Sequence, residues 1–220
     1  MKAYHLHTPK SGGTFLKTKL IDPLQTYCGL QFVNQSAHEA WSLVADDVYV
    51  ISSFREPVKR IVSHYCHFNE VNEEEIITVA TFVEWYNSNK TYLKNYQSKN
   101  FLIIKDFSNH RPALRSEQVF IDVQINETEL YKNIKRTNVL IRDNQFNDEK
   151  LEQIKLNIIS DLNLSNNFYV KDVQNFYNSR QTSHKLYAEL PETIKKQIRQ
   201  DNALDYELYL NNSLYWNNGQ

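Results

Sequence analysis

Glycine is scarce in this chain: there are four in 220 residues, and two of the four are adjacent, at Gly12-Gly13. Cysteine is scarcer still. Cys28 and Cys66 are the only two, too few for a disulfide framework and at no metal-ligand spacing, so reduced thiols in a cytoplasmic protein are expected. Long apolar runs are missing, and nothing approaches the roughly 20 residues of a membrane-spanning helix. The start, Met1-Lys2-Ala3-Tyr4-His5-Leu6-His7, has neither the apolar stretch nor the cleavage pattern of a secretory signal. An excess of either charge is missing too: 25 Lys and Arg against 26 Asp and Glu give a net charge of −1. That balance argues against a nucleic-acid partner, although a local basic site can sit inside a neutral total. With no repeat and no Pro/Ser-rich linker, residues 1–220 read as a single domain, long enough for a sizeable core.

What is present is an alternation of strand and helix. Residues 3–7 form a short β-like run, followed by turn residues from Thr8 to Thr14. Phe15, Leu16 and Leu20 predict a short helix packing back, and 30–33 a second strand. Residues 38–45 predict a helix with Ser36 available as its N-cap. The run 48–54 is the strongest strand, β-branched, aromatic and uncharged until its end. Pro57 then stands where proline favours a first helical turn, and Val58, Ile61, Val62 and Tyr65 mark one face of that helix. Further on, 81–87 reads as helical, 139–141 as a short strand, and Leu151, Ile154, Ile158 and Leu162 as one helix face. A final helix from near Pro191 would turn Ile194, Ile198, Leu204 and Leu208 inward, and 119–123 within the unassigned segment 105–136 reads as a strand or a loop over the site. The expected fold class is therefore α/β: a P-loop-like parallel sheet flanked by helices, with a more helical C-terminal half. Ligands in such sheets sit at the carboxyl ends of the strands, which directs attention to loops 8–14 and 55–57.

A glycine-rich turn between a strand and a helix aims backbone N–H groups at one spot, and the helix start adds positive potential, which suits a phosphate. Gly12 and Gly13 permit unusual backbone angles and close approach; Lys10 adds a mobile charge and Thr14 a hydroxyl. The Walker A order G-x-x-x-x-G-K-(S/T) is not met, because here the lysine precedes the glycines. The strand that would end in a magnesium-binding Asp ends instead in Arg55. Both departures point to a nucleotide held without metal, its charge met by Lys and Arg.

His7-Thr8-Pro9-Lys10-Ser11-Gly12-Gly13-Thr14-Phe15-Leu16 resembles the H-x-P-K-(S/T)-G-G-T-x-L loop of sulfotransferases. These enzymes use 3′-phosphoadenosine 5′-phosphosulfate (PAPS). The similarity is to the carbohydrate-type subgroup that includes the heparan-sulfate 2-O-sulfotransferases. The second signature of that family, Arg-(Asp/Glu)-Pro-x-x-Arg-x-x-Ser-x-Tyr, stands here as Arg55-Glu56-Pro57-Val58-Lys59-Arg60-Ile61-Val62-Ser63-His64-Tyr65. The two motifs come in order, each behind a predicted strand, and together cover under a third of the chain. Weaker echoes follow at Asn95-Tyr96-Gln97, across 138–156, and at Asp205-Tyr206-Glu207-Leu208-Tyr209.

The resemblance implies a sulfotransferase-type domain in which Lys10, Ser11, Gly12, Gly13 and Thr14 wrap the 5′-phosphosulfate. Lys10 would also stabilise charge on the departing oxygen. Arg55 and Ser63 would hold the 3′-phosphate, and Arg180 and Lys185, in the polar stretch before the last helix, would add further contacts. His38 would take the proton of the acceptor hydroxyl, with Glu39 as second choice and Asp106 and His110 open. Each has a plainer alternative: a solvated loop lysine for Lys10, a helix-surface serine for Ser63, a helix-start histidine for His38. His7 and Arg60 read as structural, and His64 with His67 lacks a third ligand for a metal. The implied donor is PAPS, the product adenosine 3′,5′-diphosphate, and the partner a hydroxyl-bearing acceptor, a carbohydrate by the subgroup; no metal, nucleic acid or membrane span is expected. Three other readings stay open: a P-loop nucleotide or small-molecule kinase, a non-catalytic nucleotide-binding relative, and an aromatic-lined carbohydrate-binding module. Oligomeric state is not legible.

Overall fold

The structure is a computed structural model that describes residues 1–33, 41, 44–72, 76–102, 121–165 and 181–214. Four strands form one sheet: β1 (Lys2–Leu6), β2 (Gln31–Phe32), β3 (Tyr49–Phe54) and β4 (Val139–Arg142). Their order is β2-β1-β3-β4, and every pairing is parallel. All four expected strands are thus present in an α/β fold. β3 is central and buried along its whole length, which is why its sequence lacks a polar face. Its two serines are satisfied locally, Ser52 Oγ donating to the Leu6 carbonyl at 2.8 Å and Ser53 Oγ to the Ser11 carbonyl at 3.0 Å.

The side-chain alternation of the strands splits the apolar residues between two faces. On one, Ala3, Ile51, Val139 and Ile141 pack with the helical run that follows β1 and with Leu151, Ile154 and Ile158. On the other, Tyr4, Leu6, Val50, Phe54 and Leu140 pack with Phe101, Leu130, Ile134 and Leu208. The run after β1 comprises α1 (Gly13–Leu16), a π-helical stretch (Lys17–Ile21) and α2 (Asp22–Cys28). It closes on Gly29 at φ 69°, where the left-handed backbone favours glycine. A third apolar cluster lies away from the sheet. It joins α3 (Pro57–Asn72) and α4 (Val79–Leu93) to two later helices through Val58, Ile61, Tyr65, Phe82, Leu186 and Ile198. Between them α5 (Tyr96–Asn100) is a short, wholly buried helix.

Two expectations are revised. Part of the unassigned segment 105–136 is a helix, α6 (Glu127–Arg136). Asn126 caps it by accepting the Glu129 N–H at 3.1 Å, and acids in its first turn and bases in its last complement the helix dipole. The expected single final helix is divided. After α7 (Asp148–Asp161) and α8 (Gln181–Glu189) come α9 (Glu192–Asp201) and α10 (Ala203–Leu210), separated at Asn202. Asn202 leaves helical geometry (φ −116°, ψ 41°) because its side chain is engaged twice, donating to the Ile198 carbonyl at 2.8 Å and accepting the Asn95 N–H at 2.9 Å. Most of the expected helix 38–45, and residues 119–120, lie outside the described residues. Among the described residues no helix is long and apolar enough to cross a membrane.

Candidate functional site

β1 lies between β2 and β3, so the strand order reverses between β1 and β3. In open α/β sheets the carboxyl edge at such a reversal is where ligands bind. The loop after β1 and the first residues after β3 border it, which are the two motif loops.

The β1 loop is fixed from within. Ser11 is fully buried; its N–H and its Oγ both donate to the Thr8 carbonyl, at 3.2 and 2.7 Å, and its Oγ lies 3.0 Å from Ser53 Oγ. Thr8 is buried too, and its Oγ1 accepts from Asn100 Nδ2 at 3.1 Å. Ser11 therefore shapes the loop, and its own donors point inward. Gly12 adopts φ 93°, where a side chain would be strained, and a Cβ there would meet Phe146 at 2.0 Å; a Cβ on Gly13 would meet His7 Nε2 at 1.8 Å. The close approaches that demand glycine are thus made by the protein's own rings. His7 is held in turn by stacking on His5, with centroids 5.4 Å apart. The first helical bond runs from the Leu16 N–H to the Gly12 carbonyl, so the N–H groups of Gly13, Thr14 and Phe15 precede any intrahelical acceptor. Thr14 is exposed beside them.

Lys10 sits at φ 66°, a left-handed backbone uncommon for lysine. Its carbonyl accepts from Arg55 Nη1 at 3.2 Å. Arg55 itself is clasped by Gln97, which accepts the Arg55 N–H at 2.7 Å and donates to its carbonyl at 2.8 Å. Its Nε lies 4.0 Å from Asp143 Oδ2, which also faces Lys59 Nζ at 3.6 Å. The remaining Asp143 oxygen accepts from Tyr209 Oη at 2.8 Å, and burial together with that carboxylate pushes the Tyr209 phenol up. Glu56, the acid of the second motif, is turned to Arg199 at 3.0 Å and to the Lys59 N–H at 2.9 Å. The edge therefore combines unspent amides with Lys10, Arg55 and Lys59, a set suited to anionic oxygens.

Ser63 is buried on α3. Arg60 is fully buried over the Tyr96 ring, 4.3 Å from its centroid, in keeping with a structural role. His64 lies among Trp85, Tyr92 and Tyr96. Lys185 is 79% exposed on α8 and faces Glu189 at 3.9 Å. His38, Glu39, Asp106, His110 and Arg180 lie outside the described residues. Among the described residues no group of three or more His, Cys, Asp and Glu could hold a metal.

Sequence reasoning gave no role to Asp143, Gln97 or Tyr209. All three did fall within the weaker family echoes, Gln97 at 95–97, Asp143 in 138–156 and Tyr209 at 205–209. The structure joins the first and last of these segments directly: Asp205 accepts the N–H groups of Gln97 and Ser98 at 2.9 and 2.8 Å. Comparison of the chain with models of known protein families, with curated proteins and with solved structures finds no match.

Proposed function

We propose that this protein is a sulfotransferase that moves a sulfuryl group from PAPS to an acceptor hydroxyl, on a carbohydrate, by in-line displacement. The observation that carries the reading is the bond from Arg55 Nη1 to the Lys10 carbonyl, 3.2 Å long, between two motif loops far apart in sequence. The orphan amides of Gly13 and Thr14 and the buried Ser63 hydroxyl support it, being donors suited to the two ends of a nucleotide carrying both 5′- and 3′-phosphates. In this reading the acceptor oxygen forms a bond to sulfur as the bond from sulfur to the 5′-phosphate oxygen breaks. His38 receives the acceptor's proton, and adenosine 3′,5′-diphosphate departs. Lys10 neutralises charge on the departing oxygen, Arg55 and Ser63 hold the 3′-phosphate, and the fixed loop holds donor and acceptor in line. Ser11 acts through loop shape.

Thermal unfolding with adenosine 3′,5′-diphosphate, against ATP with Mg²⁺, tests the donor site. At about 100 times its dissociation constant the diphosphate is expected to add about 2.7 kcal/mol, or roughly 5–10 °C in a chain of this size. A shift with ATP alone would replace this reading with a kinase, and no shift with either would remove the nucleotide. In Lys10→Ala, sulfuryl transfer from PAPS is expected to fall by about 100-fold or more while the chain stays folded. Transfer near the wild-type rate would strip Lys10 of its role.

A further inference from the structure

β3 and β4 end in register. Phe54 pairs with Arg142, so the next residues, Arg55 and Asp143, leave the sheet side by side. Asp143 was not marked by either motif, yet its carboxylate is only 9% exposed and is held at both oxygens. Oδ2 faces Arg55 Nε at 4.0 Å and Lys59 Nζ at 3.6 Å, and Oδ1 accepts from Tyr209 Oη at 2.8 Å. A charge so shielded from water acts on its neighbours with little screening. The Arg55 guanidinium is planar and rigid. One of its nitrogens is tied to the Lys10 carbonyl and another is drawn to Asp143, and constraints on two nitrogens of one plane fix its orientation. Tyr209 belongs to α10, the helix that also carries Asp205. Asp205 holds Gln97, and Gln97 clasps the Arg55 backbone. One helix therefore holds Arg55 twice, by its main chain through Gln97 and by its side chain through Asp143.

We infer that Asp143, braced by Tyr209, is a positioning residue that aims the Arg55 guanidinium at the 3′-phosphate and thereby sets the preference for nucleotides that carry one. The inference rests on the sulfotransferase reading above. It assigns to α10 a part in donor selection, acting through Asp143 and Arg55.

The test is calorimetric binding of adenosine 3′,5′-diphosphate and of adenosine 5′-monophosphate to the full chain, wild type and variants. The wild type is expected to prefer the diphosphate. In Asp143→Asn that preference is expected to fall about tenfold, the equivalent of 1.4 kcal/mol and within the range of a charge-assisted contact. Affinity for the monophosphate is expected to change by less than about threefold, half a decade on the same scale. Asp143→Glu, which keeps the charge, is expected to recover part of the preference. Tyr209→Phe removes only a hydroxyl and is expected to act in the same direction with smaller size; it decides the matter if Asp143→Asn does not fold. A purely structural role would weaken both nucleotides alike and leave their ratio unchanged. That result, with the wild-type preference intact, overturns this inference and leaves the sulfotransferase reading standing. A wild type that does not prefer the diphosphate overturns both.

Discussion

At the scale of single residues, Gly13 separates two reasons for a glycine. Its sequence context points to close approach by a phosphate, but the nearest obstacle is His7, whose Nε2 would lie 1.8 Å from an added Cβ. His7 has little room to yield, because His5 stacks on it with an interplanar angle of 9°. Alanine is otherwise the better helix former by about 1 kcal/mol, so any loss at this first helical position isolates the clash. Gly13→Ala is expected to destabilise the protein by about 1–3 kcal/mol, the usual cost of overpacking. In a His7→Ala background most of that cost should vanish, as urea unfolding of the four chains of a double-mutant cycle would show. Equal cost in both backgrounds would mean that His7 is not what makes Gly13 obligatory.

At the scale of elements, legibility followed the strength of local signals. β3 was legible because a run buried on both faces has no polar alternation to confuse. Lys10 and Arg55 were legible because each closely follows a strand at the same sheet edge. Helix α6 was not, although its Asn126 cap, early acids and late bases form a start-and-stop signature; with few apolar residues in that stretch, periodicity alone did not mark it. The division of α9 from α10 was hidden for another reason. Asn202 breaks the helix with its side chain engaged in part by Asn95, more than a hundred residues earlier, which donates to it, and no local pattern records such a partner. Asp143 was hidden in the same way: it meets Arg55 through the pairing of Phe54 with Arg142.

At the scale of the whole molecule, the apolar cluster under one sheet face and the cluster of the outer helices are joined by a buried polar knot. Asp205 sits on α10 beside Leu208 of the sheet-face cluster, and Arg60 sits on α3 between residues of the helical cluster. Both are about 1% exposed. Asp205 accepts the N–H groups of Gln97 and Ser98 and the Ser98 hydroxyl. Burial pushes its carboxyl up, and the bonds from Ser98 and Gln97, with the Arg60 charge, draw it back. Burial likewise pulls the Arg60 guanidinium down, while Tyr96 and then Asp205 hold it charged. Neither Nη of Arg60 has a hydrogen-bond partner among the described residues, so Tyr96 and Asp205 are its main compensation. Asp205→Ala would leave that buried cation with the Tyr96 ring as its main compensation and would orphan two backbone N–H groups. The expected loss is about 3–5 kcal/mol, a large share of the roughly 5–15 kcal/mol that holds a domain folded. It should appear as a lower urea midpoint with an unchanged slope if the two clusters unfold together. Adding Arg60→Met to Asp205→Ala should recover part of the loss, since removing both charges of a buried pair costs less than removing one. An Asp205→Ala chain within about 1 kcal/mol of wild type, no more than an ordinary point substitution, would mean that the two clusters do not depend on this knot.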